Sequence, residues 1–84
     1  MRYSVSYETD AIAALTQLWL DAVDRASVTA AQATLDHRLA SDPHGNGSQI
    51  SEGLWAIECH PLRAFYEIIE DDRLVLVTAL RRLP

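Results

Sequence analysis

The sequence predicts an α+β fold: an antiparallel sheet with an N-terminal strand, a two-helix hairpin and a C-terminal β-meander. Three observations predict it. Residues 2–7 alternate polar and apolar with period two, and two blocks between residues 10 and 39 carry apolar side chains at helical spacing. The last third holds two runs rich in branched and aromatic residues, Pro61 to Glu70 and Arg73 to Arg82, separated by Asp71 and Asp72. A chain of 84 residues suffices for one small core, so residues 1–84 read as a single domain with any site on its surface or edge.

The first strand places Tyr3, Val5 and Tyr7 on one half-buried face. Thr9 or Asp10 is the expected cap of a helix over residues 10–23, whose buried stripe would be Ile12, Leu15, Leu18 or Trp19, and Ala22. Ser27 is the expected cap of a second helix with the stripe Val28, Ala31, Leu35 and Leu39, and the short link makes the pair antiparallel. The turn formers from Asp42 to Ser48 predict an exposed loop, and residues 49–52 a short edge strand punctuated by Gly53. In residues 54–60, alternation puts Trp55, Ile57 and Cys59 inward and Ala56, Glu58 and His60 outward, until Pro61 ends the strand. Trp19 and Trp55 are expected in the core beneath the helices, with an apolar surface hidden by a partner as the alternative, and Cys59 as a small apolar filler.

Composition narrows the function. Net charge is −5, yet four of the seven basic residues, Arg63, Arg73, Arg81 and Arg82, lie in the closing hairpin. The acidic total argues against a protein held to nucleic acid mainly by charge, while a local basic patch stays open. One cysteine excludes an internal disulfide, and no secretory leader or membrane span is read, so the expected location is the cytoplasm. His37, His44 and His60 lack metal-ligand spacing, and the glycine-containing loop lacks a Lys-Ser/Thr ending, so neither a metal nor a cofactor is expected.

The element order, with Leu62-Arg63, Tyr66-Glu67-Ile68 and the closing Arg73 to Arg82 run, plus Asp42-Pro43 and Gly53, resembles the RelE/ParE superfamily of toxins from type II toxin–antitoxin modules, some of which are plasmid-stabilising. The resemblance implies a toxin acting as an mRNA interferase or a gyrase inhibitor and neutralised by an antitoxin that wraps its helices and exposed sheet. Arg63 matches the family arginine. Where RNA-cutting members carry lysines on the third strand, this chain has Ala56 and Glu58; Leu83 takes the second basic position, and no terminal tyrosine or histidine appears before Pro84. The alternative is a non-catalytic interaction module that has lost the toxin site, persisting as a homodimer or a partner-binding domain.

The candidate site residues follow. Arg63 is either a functional cation or half of a cross-strand ion pair with Glu67 or Glu58. Arg81 is a second candidate catalytic cation, and Arg81 with Arg82 a candidate surface for a partner or nucleic acid. Glu58 and His60, two residues apart, could be a carboxylate orienting an imidazole for acid–base work.

Overall fold

The computed structural model describes residues 2–84 and has the predicted element order. Strand β1 (Ser4–Tyr7) leads into helices α1 (Thr9–Asp21) and α2 (Arg25–Ser41), followed by β2 (Ser48–Ser51), β3 (Leu54–Cys59), β4 (Leu62–Ile69) and β5 (Leu74–Arg82). The strands form one sheet in the order β1-β5-β4-β3-β2. The meander β2 to β5 is antiparallel, but β1 runs parallel to β5, because the helical hairpin returns the chain across one sheet face and makes the sheet mixed.

Helix α2 buries the predicted stripe, Val28, Ala31, Leu35 and Leu39, against Ile57, Leu62, Ala64, Tyr66, Val75, Val77 and Leu80 of the sheet. Tyr3, Val5 and Tyr7 pack at the margin of this core, and the Tyr7 hydroxyl donates to Asp36 Oδ1 at 2.5 Å. On α1 the stripe starts one residue earlier than predicted. Stepping back from Ala22 through Leu18 and Leu15 by turns of three to four residues reaches Ala11, which is fully buried, and leaves Ile12 52 % exposed.

Both helices begin on caps other than the expected ones. Asp24, not Ser27, caps α2: its carboxylate accepts from the Ser27 amide at 3.2 Å and from the Ser27 hydroxyl at 2.6 Å. That bonding holds the Asp24 carboxyl below the usual carboxylate range. At the start of α1 neither Thr9 nor Asp10 is the cap; Glu8 holds that place without a side-chain bond. Arg25 closes the other end of α1, donating to the carbonyls of Trp19 and Leu20 at 3.2 Å each. Its guanidinium lies 4.6 Å from the Trp19 ring centre, and the indole N–H donates to Thr29 Oγ1 at 3.2 Å. These polar partners hold Trp19 at the surface, 39 % exposed, rather than in the core.

Tyr66 anchors the loop after α2. Its ring is fully buried and stacks with Trp55, while its hydroxyl donates to the Pro43 carbonyl at 2.5 Å. Burial, with a smaller contribution from the Asp42 charge, pushes this phenol up to about 12. Gly47 has to be glycine here, since a Cβ would run into the Tyr66 hydroxyl and come within 2.9 Å of the Ala56 carbonyl. At the far end of the hairpin the turn is a single 3₁₀ turn, Glu70–Asp72, closed by Arg73 in the left-handed region at φ 47. Arg73 therefore belongs to the turn rather than opening the last strand.

Candidate functional site

Both helices pack on one face of the sheet, and the opposite face stays open. A single extra residue decides which side chains reach that open face. Pairing between β4 and β5 runs Ile69↔Leu74 to Tyr66↔Val77, then resumes at Phe65↔Ala79, leaving Thr78 unmatched as a β-bulge. Strict alternation from Val75 and Val77 would turn residue 81 toward the helices. The bulge shifts the phase, so that Leu80 fills the core and Arg81 stands on the open face directly opposite Arg63.

Glu58, Arg63 and Arg81 thereby form one row across β3, β4 and β5, in the registers Glu58↔Arg63 and Arg63↔Arg81. Two like charges in directly opposed positions repel. Here both guanidiniums lie over the half-buried Phe65 ring, at 5.3 Å for Arg63 and 5.6 Å for Arg81, where the π-face offsets part of that repulsion. Arg63 Nε approaches Glu58 Oε2 to 3.4 Å, with the side chains 40 % and 55 % exposed. The pair has contact distance but not hydrogen-bond alignment, and the covered Nε–H has no hydrogen-bond partner. Of the two expected ion-pair partners for Arg63, the structure selects Glu58. Asn46, Ser48 and Ile50 form the neighbouring wall of a shallow cleft that Glu58 and Arg63 also line.

The other candidates fall elsewhere. Ala56, expected outward and exposed, is 6 % exposed and lines the floor of that cleft. β3 ends at Cys59, so alternation does not carry on to His60. His60 instead borders an apolar groove of about 230 Å³ on the helix side, with Leu18, Val23, Val28 and Arg82, so the Glu58 and His60 acid–base pair does not form. Arg82 and Arg81, grouped from the sequence, point to opposite faces. Phe65 joins the two arginines as a site residue that the sequence does not single out, although its i, i+2 spacing from Arg63 puts an aromatic ring beside a cation on one strand face. Among the described residues no cluster of His, Cys, Asp or Glu is arranged to hold a metal ion, and no helix is long and apolar enough to cross a membrane.

No protein-family model and no curated protein matches the sequence. Solved structures do. The chain is similar to one from the toxin–antitoxin complex RelBE2 of Mycobacterium tuberculosis, at 16 % identity and a TM-score of 0.82, covering 98 % of this chain and 92 % of that one. A chain of the chromosomal ParDE system of P. aeruginosa superposes with a TM-score of 0.72 at 12 % identity, covering 98 % and 97 %. One from the archaeal RelE–RelB complex of Pyrococcus horikoshii gives 0.71 at 14 % identity, covering 98 % and 96 %. The fold is that of the RelE/ParE toxins.

Proposed function

We propose that this chain is the toxin of a type II toxin–antitoxin module, acting in the bacterial cytoplasm and restrained by an antitoxin protein. The observation that carries the reading is the open face of a RelE/ParE-type sheet bearing Arg63 and Arg81 over Phe65. Two adjacent guanidiniums suit the phosphates of a single strand, and an aromatic ring beside them suits a base. Messenger RNA is therefore the preferred target, with Arg63 and Arg81 stabilising charge that develops on the phosphate when a neighbouring 2′-hydroxyl attacks it and the 5′-oxygen of the next nucleotide leaves, water taking the hydroxyl proton and supplying one to the leaving oxygen. Solved structures of the same fold include toxin–antitoxin complexes, which supports an antitoxin as partner.

A second reading, a non-catalytic interaction module, draws support from Glu58, which sets a carboxylate against the central arginine and removes one positive charge from the row. Induced expression of the unmodified chain in a bacterial host separates the two. Growth arrest relieved by co-expression of the neighbouring small reading frame supports the toxin. Unaffected growth overturns it in favour of the module. Mapping of messenger RNA ends against DNA-damage signalling then distinguishes RNA cleavage from gyrase inhibition.

A further inference from the structure

We infer that Glu58 is a built-in counter-anion of the open face, occupying the place of a nucleic-acid phosphate beside Arg63, so that single-stranded RNA binds only by displacing it. The inference rests on the nucleic-acid reading of this face and adds the residue that sets its strength.

The geometry gives three reasons. Glu58 is the direct cross-strand neighbour of Arg63, and Arg63 in turn of Arg81, so one carboxylate stands at the end of a row of two cations. The 3.4 Å approach to Nε lacks hydrogen-bond alignment and leaves that covered N–H unsatisfied, so Glu58 does not saturate a guanidinium whose side chain is 40 % exposed and open to a better-placed acceptor oxygen. Both side chains are substantially exposed, and ion pairs so placed contribute little to stability and separate easily. A weak, misaligned, solvated pair is a poor structural fastening but an effective local competitor, because the carboxylate repels an incoming phosphate whether or not it stays bound to Arg63. Glu67, farther along β4, lies on the same face but pairs across to Leu76 and meets neither arginine.

The test is binding of a fluorescently labelled mixed-sequence single-stranded RNA to the full chain, followed by anisotropy. Glu58→Gln keeps the shape and removes the charge. It is expected to tighten binding by about three- to tenfold at about 50 mM salt, with a smaller gain at about 200 mM. In an Arg63→Gln background the same substitution is expected to give a clearly smaller gain, since only the direct repulsion by the carboxylate is then relieved and no paired cation is freed; an equal gain in both backgrounds would overturn the pairing with Arg63. If Glu58→Gln leaves affinity unchanged while Arg63→Gln weakens it, the counter-anion is refuted and the nucleic-acid face stands. If no variant binds RNA, or Arg63→Gln has no effect on binding, the nucleic-acid reading fails and the inference with it. An equal gain for a poly-glutamate peptide overturns the assignment of the ligand as nucleic acid.

Discussion

The two faces of this sheet are built from the same strands and differ in almost everything else. The helix-covered face is a continuous apolar layer in which Leu35, Leu62, Val75 and Val77 are buried almost completely and the buried Tyr66 hydroxyl has its acceptor. The open face carries a row of charges that are half exposed and imperfectly paired. Order and satisfaction on one side, with unsatisfied charge on the other, is the division expected when a scaffold holds a binding surface. The lesson is that substitutions on the two faces should separate cleanly: one set lowers stability, the other alters activity at nearly constant stability.

The largest expected loss comes from the covered face. Leu35→Ala removes a 1 % exposed side chain from the helix–sheet interface and should lower unfolding free energy by about 2–5 kcal/mol in urea titration. Tyr66→Phe comes next. It strands the buried Pro43 carbonyl and is expected to cost about 1–3 kcal/mol.

The Tyr66 phenol also predicts a pH dependence. Its folded pKa lies above that of the unfolded phenol, so the unfolded chain loses the proton first. The stability this phenol contributes is complete below pH 10 and is lost as pH rises from 10 to about 12. Tyr7 adds to the same alkaline loss, raised by burial and by its bond to Asp36. Alkaline unfolding of Tyr66→Phe should show a shallower slope than that of the unmodified chain.

Gly47→Ala tests the junction between the faces, because the loop that forms the cleft wall is pinned by Tyr66. The added methyl meets both the hydroxyl and the Ala56 carbonyl, and a loss of about 1–3 kcal/mol is expected by thermal melting. The smallest effects on stability belong to Arg81→Ala and Arg82→Ala, each within about 0.5 kcal/mol. Their functional effects should differ sharply, however, since only Arg81 stands in the row opposite Arg63.

Much of the covered face was legible in the sequence, and much of the open face was not. Period and propensity located every element, and the stripe from Val28 to Leu39 followed directly from helical spacing. Ile12 misled because it is the bulkier of two adjacent apolar residues, whereas the phase set by Leu15, Leu18 and Ala22 selects Ala11. Trp19 misled because size suggests burial, while Arg25 and Thr29 offer its polar edge partners at the surface. The cation at Arg63 and its two possible partners, Glu67 and Glu58, were readable from alternation, but the choice of Glu58 needed the β3–β4 register. The separation of Arg81 from Arg82 was not, because it depends on the bulge at Thr78, and no residue in the run Leu74 to Leu80 marks a bulge by its chemistry. The parallel placement of β1 was likewise beyond local pattern, since strand direction is set by where the helical hairpin returns the chain.

The most direct test of the division between faces joins thermal unfolding to growth arrest on one variant, Arg63→Ala with Arg81→Ala. The expected result is a melting midpoint within about 5 °C of the unmodified chain, together with loss of growth arrest on induction. A folded variant that arrests growth as strongly as the unmodified chain would contradict the assignment of function to the open face.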